Sequence, residues 1–228
     1  MIEVKGKLTQ GAAAAWPICL GYMPIGLAFG VLAQKAGLTP LQVGLMSLCV
    51  FAGSSQFIAV SMLSAGASLL SIVATTFMVN LRHLLMSSSL AALMKDKSRL
   101  KLSFFAYGVT DESFAVNYTR LIAGDWDLDR AMVLNQTANL TWLVSTVAGG
   151  FFGHLIPPHA FGIDYALTAM FICLLIFQLK DWVTILTAVL AGLVAVALAL
   201  VIPGNAYIVL ASMLAAGFGV AIKRAGGR

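Results

Sequence analysis

Phe51-Ala52-Gly53-Ser54-Ser55-Gln56-Phe57 lies in the middle of an otherwise apolar run, residues 41–63. A helix of that length is what crossing the ~30 Å hydrocarbon core of a bilayer requires. Three consecutive polar side chains point in three directions around a helix, so they cannot all meet one neighbouring helix. The patch therefore reads as a broken helix, which is tolerated at membrane depth only where protein buries it or where it lines a cavity. Gly53, Ser54, Ser55 and Gln56 are the first candidates for a binding site.

The rest of the chain has the same apolar character. Of its 228 residues 60% are hydrophobic and 10% charged, against about 25% charged in a soluble domain. Eight segments are long and apolar enough to be spans: residues 11–33, 41–63, 67–94, 102–122, 131–156, 161–179, 182–202 and 206–222. The connections are short, so the expected fold is an all-α polytopic membrane protein with one transmembrane domain over residues 1–228. The net charge of +5 does not indicate nucleic-acid binding, because the basic residues fall in short runs between apolar spans: Lys95, Lys97, Arg99 and Lys101, then Lys223, Arg224 and Arg228. Such runs are topology signals. Cys19, Cys49 and Cys173 are solitary, which points to neither a disulfide framework nor a metal site. Ala13-Ala14-Ala15 precedes the first apolar run rather than following it, so that run reads as an uncleaved span. Trp126, Trp142, Trp182, Tyr118 and Tyr207 read as an aromatic belt.

The first segment carries Gly21-Tyr22-Met23-Pro24-Ile25-Gly26 and then Gly30, and it too is expected to be interrupted. Pro24 and Gly26 are either part of a site or a close-packing seam of small residues. If every segment crosses with the N-terminus inside, the Lys95–Lys101 loop lies outside, against the positive-inside rule. Shifting the chain so that Gly30 falls over Gly153 puts Phe51 over Leu174 and Asn80 over Pro203. Segments 1–3 then recur as 5–7. With one re-entrant segment in each triplet, the expected arrangement is an inverted repeat. The N-terminus, the lysine-rich loop and the C-terminal tail are then cytoplasmic, and the loop with Asp125, Asp127 and Asp129 is outside.

Charged groups of both signs sit inside the third and fourth segments. Asn80, His83 and Ser87 share one helical face, with Arg82 beside it, and Tyr107, Thr110, Asp111 and Phe114 form a second stripe next to Glu112. Intramembrane charges pair with one another or line a path. Arg82 with Asp111 or Glu112 is the expected ion pair, and the surplus carboxylate and His83 are the expected coupling groups. Asn135 and Asn139 on the fifth segment are either a polar inner face or an interhelical hydrogen bond. His83, Ser87 and Asp111 do not make a hydrolase, since no G-x-S-x-G, H-E-x-x-H or P-loop motif occurs. The candidate classes are a transporter, a channel, and a non-transporting scaffold subunit of a transport complex.

Pro24-x-Gly26-x-x-Phe29-Gly30, Phe51 to Phe57, Asn80-Leu81-Arg82-His83 and Thr110-Asp111-Glu112-Ser113-Phe114 resemble, in order and spacing, the signatures of the AzlC-type branched-chain amino acid permeases. The resemblance covers about the first two thirds of the chain. It implies export of valine, leucine, isoleucine or methionine across the bacterial inner membrane, together with a small AzlD-like membrane subunit and no cofactor. A zwitterionic substrate needs donors for its carboxylate, acceptors for its ammonium and an apolar slot. Half-helix ends near Gly26 or Gly53, the amide of Gln56 and the nearby Asn80 suit the first two needs, and Phe29, Phe51 and Phe57 suit the third. With no ATP machinery in the sequence, protons are the expected driving ion.

Overall fold

The computed structural model describes residues 2–94, 97–155, 165, 172, 175–176, 179, 181–202 and 206–225. Lys95, Cys173, Arg228, Pro157 to His159, Pro203 to Asn205 and most of the sixth segment lie outside the described residues. The helices are α1 (Ile2–Lys35), α2 (Pro40–Cys49), α3 (Gly53–Ser64), α4 (Leu69–Ala92), α5 (Arg99–Tyr107), α6 (Asp111–Ala123), α7 (Leu128–Phe152), α8 (Trp182–Ala199) and α9 (Ala206–Ala225). Gly6–Lys35, Leu69–Ala92 and Trp182–Ala199 are each long and apolar enough to cross a membrane. The protein is thus an all-α membrane protein. Its chain divides into two compact units, Met1–Ser61 with Val79–Asp164 and Met62–Met78 with Tyr165–Arg228.

In the first unit α1 and α7 run side by side in the same direction. Lys7 meets Asp127 at 2.9 Å and Asp129 at 3.1 Å. Further along, Gly11 lies against Val133, Gly26 against Ser145, and Gly30 against Thr146 and Gly150. Glycines let the two backbones touch, which is how membrane helices pack tightly without a hydrophobic driving force. The parallel course corrects two expectations. An inverted repeat would set segments one and five antiparallel, and the N-terminus and the Asp125–Asp129 loop would lie at opposite ends of the bundle. They lie at the same end.

The first segment is not interrupted either, since α1 passes through Pro17 and Pro24 without a break. Both prolines are exposed, and each costs α1 one backbone hydrogen bond.

The second segment is broken, as expected, with residues 50–52 outside helix. Thr39 and Gln42 form a capping box at the start of α2, with Pro40 in the first turn, where its missing N–H costs nothing. Register against α7 gives the course of the chain. A Cβ at Gly150 would contact Pro40, Gly44 faces Val147, Ser47 bonds Thr146 at 2.8 Å, and Gly53 meets the Trp142 ring. So α2 descends from the far end of α1 to mid-bundle. There α3 turns back, with Gln56 reaching Ser47 and Phe57 packing edge-on against Phe29 at 5.1 Å.

The fourth segment is broken as well, and this splits the expected Tyr107-Thr110-Asp111-Phe114 stripe. α5 ends at Gly108, and α6 starts from an N-cap at Thr110, whose side chain and that of Ser113 satisfy each other's backbone N–H groups. This hairpin enters from the opposite end. Phe104 lies beside Met132 and Val133, the Phe105 carbonyl accepts from Asn135 at 3.1 Å, and Thr110 reaches Tyr22. α6 then returns, and Trp126 just beyond it donates to Asn117 at 2.9 Å. With both hairpins re-entrant, an odd number of crossings lies between α1 and α7, which is why the two helices are parallel.

In the second unit α8 and α9 form an antiparallel pair, in which Gly219 approaches Thr187 and Lys223 lies 3.5 Å from Asp181. No described residue of α8 is buried, in keeping with a helix that presents its side chains to lipid.

Candidate functional site

The tips of the two broken hairpins meet at the level of Tyr22 on α1 and Trp142 on α7. Each tip ends in a half-helix N-terminus carrying a partial positive charge. They are finished differently. α6 is capped by Thr110 and bears Asp111 and Glu112 in its first turn, so acceptors gather there. α3 starts at Gly53 directly after Ala52, whose methyl side chain cannot accept a hydrogen bond from the first N–H groups, and the Arg82 guanidinium donates to Ser54 beside them, so donors gather there.

Arg82 joins the two tips. Its Nη1 pairs with Asp111 at 2.8 Å, and its Nη2 donates to the Ser54 hydroxyl. This gives Arg82 the carboxylate partner read from the sequence and adds a hydroxyl on the other hairpin. Glu112 is held separately. The Tyr22 hydroxyl donates to its Oε2 at 2.7 Å and lies 2.8 Å from Thr110 Oγ1. Asn80 Oδ1, Arg82 Nε and His83 Nε2 are buried atoms with no hydrogen-bond partner among the described residues. Unpaired buried polar atoms cost free energy and point to a site that something else completes.

Gln56 is fully buried and committed inward. Its amide donates to Ser47 at 3.0 Å and accepts from Trp142 Nε1 at 2.9 Å. Ser55 donates to the carbonyl of Ala52, the last residue of the break, at 2.9 Å. Trp142 is therefore not part of an aromatic belt; it is 3% exposed and stacks on Phe29 while meeting the edge of Tyr22. Phe51 joins the cluster through Tyr22.

The structure brings Ser54, Arg82, Asp111 and Glu112 together, with Gly53 and Asn80 alongside on the same elements. Pro24 is exposed and Gly26 is buried in the α1–α7 seam, so of the two readings of Gly26 the packing one describes its surroundings. Asn135 and Asn139 make interhelical bonds, Asn135 to Asn117 and Phe105, and Asn139 to Tyr107. Sequence reasoning places Tyr107 in the stripe of the fourth segment and Tyr22 within the Gly21–Gly26 stretch without giving either a role, and it does not single out Ser47 or Thr146. The Thr110-Asp111-Glu112-Ser113 run, a cap residue followed by two acidic residues, was the available signal for the second break, since it is how a helix starts.

At the N-terminal end of α1 and α7, Asp127 caps α7 and pairs with Lys7 and Arg130. Partial burial works against its charge, but the Arg130 N–H and the Lys7 ammonium outweigh that effect and hold its carboxyl below the usual range.

The family described as AzlC protein matches residues 17–156, which include α7 and both broken hairpins. The chain is 31% identical over 163 residues to the "Branched-chain amino acid transport protein AzlC" of Bacillus subtilis, covering 71% of this chain and 64% of that protein. It therefore spans less than two thirds of that relative's length. It is 29% identical over 198 residues to the "Inner membrane protein YgaZ" of Escherichia coli, covering 83% and 81% of the two chains. It is also 29% identical over 198 residues to an "Uncharacterized membrane protein" of Helicobacter pylori, covering 86% of each. No solved structure matches the chain.

Proposed function

The chain belongs to the AzlC family of membrane transport proteins, and from that premise we propose that it is a secondary transporter. It exports valine, leucine, isoleucine or a similar apolar amino acid across the bacterial inner membrane, together with a small AzlD-like membrane subunit. The observation that carries this reading is the unlike finish of the two half-helix N-termini. The uncapped α3 start, with Arg82 beside it, offers donors for a carboxylate. The acid-bearing α6 start offers acceptors for an ammonium. Discontinuous helices whose half-helix ends point at substrate charges are a recurring transporter device. Phe51 and Tyr22 beside the tips suit an aliphatic side chain. Of the two acids Asp111 is taken by Arg82, which leaves Glu112, with Tyr22 and His83 near it, as the group that exchanges a proton with the gradient.

The test is reconstitution in liposomes with and without the small subunit, followed by efflux of labelled valine, leucine, isoleucine and methionine under an imposed pH gradient. Saturable efflux that needs the gradient and is lost in Glu112→Gln supports the reading. Efflux that depends on the partner yet survives changes at Ser54, Arg82 and Glu112 would make this chain the scaffold.

A further inference from the structure

We propose that Tyr107 is a positioning residue that latches the two hairpins, and that release of its hydroxyl from the Leu48 carbonyl opens the space between the two breaks. Leu48 is the penultimate residue of α2, so its carbonyl has no partner within the helix. The α2 C-cap recovers only the Met46 carbonyl, through the Val50 N–H. A carbonyl left bare at membrane depth is costly. The missing donor comes from the other hairpin, as the Tyr107 hydroxyl donates to Leu48 O. Asn139 on α7 donates to that same hydroxyl at 3.3 Å, so the latch is also tied to the helix that packs along α1. Tyr107 is the last residue of α5 and immediately precedes Gly108, so any movement at the second break moves the phenol.

The latch can be read without substrate. Once the hydroxyl leaves, the Leu48 carbonyl is satisfied only by entering water, and the next residue is Cys49, a free and exposed thiol. Its alkylation requires the thiolate, which forms only where water reaches the sulfur. The role of the latch in the transport cycle rests on the transport reading above, whereas the labelling experiment does not.

In liposomes, with Cys19→Ala and Cys173→Ala as background, Tyr107→Phe is expected to raise the maleimide labelling rate of Cys49 about 3- to 10-fold, the shift that loss of one hydrogen bond produces. Tyr118→Phe, a change at an exposed position on α6, leaves the rate unchanged. A cysteine placed at the exposed Val144 labels at the same rate in both backgrounds, which separates local opening from general loosening. The thermal midpoint of Tyr107→Phe falls by no more than about 2–4 °C. Should that variant fail to fold, Asn139→Ala keeps the phenol and removes the amide that holds it, and the same rise is expected. An unchanged Cys49 rate in either folded variant overturns the latch, and a rise shared by the Val144 reporter does the same. If wild-type protein moves no amino acid but the Cys49 result holds, the transport reading fails and the latch stands.

Discussion

The two broken hairpins enter the bundle from opposite ends and solve the same problem differently. In α2–α3 the interruption is closed by neutral partners. Gln56, Ser47, Trp142 and Thr146 form a buried chain of hydrogen bonds that stitches the hairpin to α7. In α5–α6 the interruption carries Asp111 and Glu112, whose partners Arg82 and Tyr22 belong to other helices. A break closed mainly by neutral hydrogen bonds, with Arg82 reaching it only through the Ser54 hydroxyl, is inexpensive to keep closed and offers little to titrate. A charged break whose partners are borrowed can exchange them. The first hairpin therefore reads as the anchored half of the site and the second as the half that moves.

Removing Arg82 should separate the two most strongly. Arg82→Met leaves Asp111 without its cation; loss of one partner of a fully buried pair costs about 3–5 kcal/mol, an upper limit for this pair, whose side chains are 30% and 39% exposed. The outcome expected is a large drop in thermal stability and no efflux, with Arg82→Met combined with Asp111→Leu recovering stability but not efflux. Recovery of both would reduce the pair to a structural one. Gln56→Leu comes next. It leaves Trp142 Nε1 without its acceptor and should cost about 1–3 kcal/mol, while the pH dependence of the remaining efflux stays as in wild type. A shifted pH profile would break the anchored-versus-mobile distinction.

Two glycine substitutions sharpen it further. A Cβ at Gly108 would sit 2.7 Å from Asn135 Cβ, while one at Gly53 would meet only the Trp142 ring edge at 3.1 Å. Gly108→Ala should therefore cost about 1–3 kcal/mol, as overpacking typically does, and Gly53→Ala clearly less, both read as unfolding midpoints in detergent. Comparable losses would mean that the ring cannot give way.

The smallest effect concerns pH. Asp127 has a folded pKa below its ordinary value, so its contribution to stability is present above about pH 4, the unfolded aspartate range, and is lost as pH falls through the lower folded value. Asp127→Asn should thus lower the midpoint at pH 7 but not at the acid end of the titration. A gap that persists in acid would mean that the charge of Asp127 is not what the substitution removes, since asparagine caps a helix as well as aspartate does.

The first hairpin was legible because Gly53 and three polar residues interrupt an apolar run. The second was harder to see. Gly108 is a single small residue, and Asp111 and Glu112 drew the eye as charges rather than as the first turn of a helix begun at Thr110. Pro24 misled in the other direction, because proline signals an interruption in water-facing helices, whereas α1 is held continuous by its glycine seam with α7. The inverted repeat failed for the same reason that the second break was missed, since one unrecognised re-entrant segment reverses the direction of everything after it. Three consecutive polar residues in an apolar run mark Gln56 as a site residue, whereas its partners, Ser47 and Trp142, are too far apart in sequence for any spacing rule to connect them.

The α1–α7 seam also sets a schedule for biogenesis. Lys7 and Asp129 are separated by 122 residues, and a ribosome adds about 5–20 residues per second. The first helix thus emerges roughly 6 to 25 s before the helix that buries its glycine face. For that interval its small-residue groove faces lipid or the insertion machinery, and the acidic residues that will neutralise Lys7 have not been synthesised. The last contact of this seam to form, rather than the insertion of any one helix, then marks completion of the bundle.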